Sequence, residues 1–190
     1  MSHHLLSDGS LFAAALLVHA MWAGHPSQPA AANIARTGYP YASAVCEFGA
    51  AGGPDCVNPR NGDDMYDWGY WRSRSFGASD PWGYEYRNCT SYVAWRLTRA
   101  GVPTALFTDL GDASHWIANV RGEPGVAVND TPSPGAVAAW DWQGVGHVAW
   151  VVSVRGSTVT VADYNHAGTG AYDEHVIGSR PTGYIHFPRH

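Results

Sequence analysis

Cys89, His147, Asp163 and Asn165 are the residues whose types and spacing could carry nucleophilic chemistry. A cysteine attacks a carbonyl as its thiolate. An imidazole must take the proton, and a carboxylate or amide must hold that imidazole in one tautomer and orientation. His147 follows Gly146 at the head of a β-prone run, 147–154. Asp163 and Asn165 stand at the end of a second run, 158–165, joined to the first by Arg155-Gly156-Ser157. Such a short connection predicts a hairpin, in which the start of one strand faces the end of the other. Local geometry therefore puts Asp163 or Asn165 beside His147, while the fold must deliver Cys89. Each residue alone has a plainer reading: a small buried hydrophobe, a loop histidine satisfied by backbone, turn chemistry ahead of Gly168. Their coincidence favours a catalytic set.

The element that must position the thiol begins in a loop holding Asp80, Pro81 and Gly83 and runs through 86–97. Tyr92, Trp95 and Leu97 give an apolar face at helical spacing, and Gly101 and Pro103 stop the helix. Cys89 then lies in the first turn, where unpaired N–H groups and the positive end of the helix dipole favour a thiolate. An acyl oxyanion held beside the sulfur could use the same N–H groups. Beyond Pro103, residues 112–120 predict a short helix, 126–128 an extended segment and 136–140 a strand opened by a Pro-Ser-Pro-Gly turn. Residues 172–177 and 183–187 predict two closing strands. Helices followed by antiparallel strands indicate an α+β fold with the helices packed on the sheet. Upstream, 66–85 is rich in rings, among them Trp68, Trp71, Trp82 and Tyr84, some of them expected at the mouth of the site. His115 is expected on a helix surface, His166 and His175 facing solvent or at the cleft rim, and His186 and His190 at the terminus.

At 190 residues, 45% hydrophobic and 14% charged, the chain reads as one globular domain. Its net charge is −5 and every basic residue is an arginine, with no basic run to suit a nucleic acid. The apolar run 11–23, followed by Ala30-Ala31-Ala32, predicts a secretory signal over residues 1–32. It is too short for a membrane span, although no Lys or Arg precedes it. Residues 33–65 predict an irregular lead-in wrapped on the domain surface. Within it Cys46 and Cys56 could close a loop as a disulfide, as secretion would permit, leaving Cys89 free. A zinc site at the pair lacks a second Cys/His pair at ligand spacing.

Four stretches together resemble the CHAP domain, the cysteine, histidine-dependent amidohydrolase/peptidase family related to NlpC/P60 and papain-like enzymes. They are Asn-Cys-Thr-Ser-Tyr-Val-Ala-Trp-Arg (88–96), Thr-Pro-Ser-Pro-Gly-Ala-Val-Ala-Ala-Trp (131–140), Gly-His-Val-Ala-Trp-Val (146–151) and Ala-Asp-Tyr-Asn (162–165). The resemblance spans roughly 66–187 and implies a catalytic domain over 66–190 with a papain-like α+β fold. It implies Cys89 as nucleophile, His147 as base, Asp163 in place of a usual Glu, Asn165 as a nearby amide, and Asn88, where relatives often carry Gln, as a side-chain amide that could help an oxyanion hole. It implies a secreted or cell-surface bacterial enzyme, acting as a monomer on amide bonds of peptidoglycan as amidase or endopeptidase. No cofactor, nucleic acid or membrane insertion is expected. Some relatives bind calcium, but Asp63, Asp64 and Asp67 lack EF-hand spacing, so no metal is expected. The rival expectations are a non-catalytic surface antigen or wall-binding module of the same fold, and a thiol enzyme with another substrate.

Overall fold

A computed structural model describes residues 38–42, 47–48, 54–55, 80–142, 144–168 and 170–189. Cys46, Cys56 and the expected signal 1–32 lie outside these residues, as do Trp68, Trp71 and the three upstream aspartates. Two short strands, β1 (Glu47–Phe48) and β2 (Pro54–Asp55), pair antiparallel, with Glu47 opposite Asp55.

Helix α1 (Cys89–Arg99) is followed by 3-10 turns at Thr104–Leu106 and Ala113–His115, and the second turn runs on into a short helix α2 (Trp116–Val120). Six strands then form one antiparallel sheet: β3 (Ala127–Asn129), β4 (Val137–Trp140), β5 (His147–Arg155), β6 (Thr158–Tyr164), β7 (Tyr172–Val176) and β8 (Gly183–His186). Their spatial order is β3-β8-β4-β5-β6-β7. The α+β arrangement expected from the sequence is what forms, with element ends within one to three residues of those expected.

The sheet is covered on one face by α1, which lies against β5 and β6. Tyr92, Val93 and Leu97 from the helix bury against Val148, Trp150, Ala162, Tyr164 and Ile185 from the strands. A smaller cluster of Ala138, Trp140, Ala149, Val151, Val161 and Tyr184 forms with the alternate side chains. Both parities of β5 and β6 are therefore buried near the middle, which is why these strands read as nearly continuous apolar runs.

Two differences from the sequence reading concern the upstream segment. Tyr39 and Ala42, expected on the surface, are fully buried in the core. The Tyr39 ring packs edge-on against Tyr41, Tyr92 and Trp95. Its hydroxyl lies 2.5 Å from Ser91 Oγ and accepts the Arg87 N–H at 3.2 Å. Trp82 and Tyr84, offered for the mouth of the site, are also core residues. Asp80 shapes their loop by accepting the N–H groups of Trp82 and Tyr84 at 2.9 Å, and Tyr84 donates its hydroxyl to the Phe107 carbonyl. Rings in an irregular stretch carry no periodicity, so their burial cannot be read from spacing.

Candidate active site

The loop before α1 is tightly specified. Arg87 is buried with its backbone in the left-handed region (φ 57°), and its Nε donates to the Gly170 carbonyl at 2.9 Å. That contact ties the approach to α1 to the loop between β6 and β7. Asn88 is extended and caps the helix: its Oδ1 accepts the Cys89 N–H at 2.8 Å. Its side chain also bonds Glu85, whose carboxyl burial holds above the usual range; the Asn88 bond offsets that in part, and the Asp112 charge adds to it. Both ends of the Asn88 amide are thus engaged. An oxyanion role for Asn88 or the Cys89 N–H would require that cap to open.

Cys89 is buried in the first turn, and its thiol is near enough to the His147 imidazole to act on the imidazole's proton. His147 opens β5 directly opposite Trp140 of β4, whose ring lies 6.0 Å from the imidazole. The residue before it must be glycine. Gly146 has φ 67°, and a Cβ there would stand 2.4 Å from the Trp140 carbonyl oxygen and 2.5 Å from the Ser114 N. Ser114 fixes the same turn by donating its N–H to the Val145 carbonyl at 2.9 Å and its hydroxyl to the Gly144 carbonyl at 2.6 Å.

The β5–β6 register sets Trp150 against Ala162. By alternation Asp163 then shares a face with His147, as its diagonal neighbour. His147 Nε2 lies 2.9 Å from Asp163 Oδ2, and Asp163 is fully buried. Asn165 is not brought there. It follows the last residue of β6, adopts φ 65°, and accepts the Gly170 N–H with Oδ1 at 2.8 Å. Of the two residues the hairpin left open, Asp163 touches the histidine and Asn165 shapes the next loop.

Burial is the largest influence on the His147 proton and pulls it downward. The Cys89 charge, the hydrogen bonds to Asp163 and Cys89 and the Asp163 charge together outweigh it, and the imidazole is pushed up to about 10. An imidazolium between a sulfur and a carboxylate is the favoured form. Such a set can generate a nucleophile and later return a proton to a leaving group.

His166, expected only at the rim, is a closer neighbour than the sequence suggested. Its ring lies 5.4 Å from that of His147, its Nδ1 is 4.0 Å from Asp163 Oδ2, and the His175 ring follows at 4.5 Å. Burial holds His166 below the ordinary histidine range; the Asp163 charge opposes this, and the His147 and His175 charges add to it. Its position three residues after Asp163 was the available signal. A groove runs from His147 past Trp140, Trp142, His166, His175 and Ile177. Donor atoms of His147, Asp163 and His166 lie within 4.8 Å of one another, close enough to share a metal ion. Among the described residues no helix is long and apolar enough to cross a membrane.

Residues 79–165 match the CHAP domain. The chain is 33% identical over 84 residues to a protein of Staphylococcus aureus named "Probable autolysin SsaALP", covering 44% of this chain and 31% of that one. It is 35% identical over 104 residues to the Staphylococcus aureus protein named "Staphylococcal secretory antigen ssaA2", covering 53% and 37%. The chain thus spans about a third of the length of these curated relatives. A solved N-acetylmuramoyl-L-alanine amidase of Staphylococcus aureus superposes with a TM-score of 0.50 at 26% identity, covering 60% of this chain and 34% of that one. The sheet with its few helices is of the papain-like, NlpC/P60-like α+β class.

Proposed function

We propose, from the match of residues 79–165 to the CHAP domain, that this protein is a secreted thiol hydrolase that cleaves amide bonds in the peptide part of bacterial peptidoglycan. The observation that carries the reading is the Cys89–His147–Asp163 alignment, with the thiol at the imidazole and Nε2 bonded to a buried carboxylate. With Nε2 committed to Asp163, Nδ1 is the nitrogen left to serve the thiol. His147 takes the Cys89 proton, and the thiolate attacks the amide carbonyl. As the tetrahedral intermediate collapses, His147 returns the proton to the leaving amine and a thioester remains. Water, deprotonated by His147, then hydrolyses the thioester, releasing the acid and restoring the thiol. The first-turn N–H groups of α1 are the oxyanion donors, with the Asn88 cap yielding to substrate. A disulfide between Cys46 and Cys56, an expected signal over 1–32 and action as a monomer complete the proposal.

Likeness to a solved N-acetylmuramoyl-L-alanine amidase favours cleavage next to the sugar over cleavage within the peptide bridge. Digestion of purified peptidoglycan, read by mass spectrometry for the newly freed amine, tests both the activity and the bond. The reading fails if wild-type protein releases no amine, or if Cys89→Ala releases as much as wild type. A second reading, a non-catalytic surface antigen, draws on the relative named as a secretory antigen. It predicts wall binding without amine release, in wild type and Cys89→Ala alike.

A further inference from the structure

We propose that His147, Asp163 and His166 form a zinc site whose occupancy switches the hydrolase off. The switching rests on the proposed function; the site itself does not. The donor atoms of the three residues lie within 4.8 Å of one another, with 2.9 Å from His147 to Asp163 and 4.0 Å from His166 to Asp163. Tetrahedral zinc with bonds of about 2.0–2.2 Å separates its donors by about 3.4 Å, a value these distances bracket. A second feature bears on the site. Beside the Oδ2 that faces both histidines, the buried Asp163 carboxylate carries an Oδ1 with no hydrogen-bond partner among the described residues, a further oxygen it can offer an ion. A buried carboxylate oxygen left this way is costly unless something arrives to use it.

The surroundings suit a metal-binding histidine. The His166 ring is backed by His175, whose Nδ1 lies 3.3 Å from Asp173 Oδ2. That ring contact restricts the rotation of the His166 imidazole. Two imidazoles and one carboxylate select zinc, or cobalt in its place, over calcium or magnesium, which prefer all-oxygen sets. Water can take the fourth position. An ion here occupies the His147 lone pair and separates Nε2 from Asp163, so the base that must activate Cys89 is lost. The sequence reading expected no metal because Asp63, Asp64 and Asp67 lack EF-hand spacing. The present site is elsewhere, and its ion restrains the chemistry instead of supporting it.

The test is calorimetric titration of zinc chloride into the full chain, with the visible absorption of cobalt(II) as a second readout. Wild type, His166→Ala and His166→Gln are compared after circular dichroism has shown all three folded. One equivalent of zinc should bind wild type, and either variant should weaken binding by about 10-fold or more, in line with losing a ligand. The zinc inhibition midpoint of each variant, read against that variant's own zinc-free rate, should move by the same factor. No binding to wild type at zinc up to roughly 1 mM, far weaker than functional zinc sites, overturns the proposal. Equal affinity in all three proteins does so too, as does binding lost in Cys89→Ala but kept in both His166 variants. If wild type proves inactive on wall, the proposed function falls, and the binding data still decide the site.

Discussion

The two halves of the site are built by opposite means. Cys89 arrives on a helix end held by an amide cap from Asn88 and by the packed rings of the core. His147 and Asp163 arrive on adjacent strands and are joined by charge, with the carboxylate fully buried. The hairpin half is preorganised by its own register. The helix half depends on long-range packing, through Arg87 to Gly170 and Ser91 to Tyr39. Substitutions in the hairpin half should therefore change the chemistry at nearly constant fold, and substitutions around the helix end should act through placement.

The strongest challenge to that contrast is Cys89→Ala. It should lower amine release from peptidoglycan by roughly 10⁴-fold or more while melting as wild type does. Asp163→Asn should come next, with kcat down by about 10³- to 10⁴-fold and KM little changed, because the imidazole loses its preferred tautomer. The same pair sets a pH signature. His147 must be protonated to hold the thiolate and to serve the leaving amine, so kcat/KM should fall as pH rises through about 10. Asp163→Asn should move that limb to lower pH. The sign for stability follows from the same shift. A histidine raised on folding gives its full stabilisation below its unfolded value near 6.5, and loses it as pH climbs towards about 10. Urea midpoints measured across that window should decline, and should decline less in Asp163→Asn.

Gly146→Ala is expected to cost about 1–3 kcal/mol and to misplace His147, since its Cβ would meet the Trp140 backbone. Gly144→Ala is the control, because at φ 85° it meets nothing within 4 Å and should carry only the backbone cost. The smallest effect is assigned to Asn88→Ala, about 1 kcal/mol for a lost cap, rescued by Ser or Asp. A kcat loss near 100-fold at unchanged stability would instead give Asn88 a direct part in oxyanion binding.

These halves also differ in how far they could be read from sequence. The β5–β6 hairpin was plain because two β-prone runs flank a three-residue connection. The choice between Asp163 and Asn165 was not. The two sit two residues apart on one face, and only the end of β6 at Tyr164 and the left-handed backbone of Asn165 separate them. The start of α1 followed from its apolar spacing and its stop signals. Its contact with His147 did not, since no local rule joins residues 58 apart; there the family resemblance supplied the expectation. His166 was undervalued because its partners lie across a loop and on a neighbouring strand.

Tyr39 has a practical bearing on where this domain can be cut. Its ring also packs against Tyr164, the last residue of β6, with centroids 4.8 Å apart. The family match starts at residue 79. A fragment begun there would lack this wedge between α1 and the end of β6, and would leave a hollow beneath α1. The portable unit, for fusion or for immobilisation on a surface, begins upstream of Gly38.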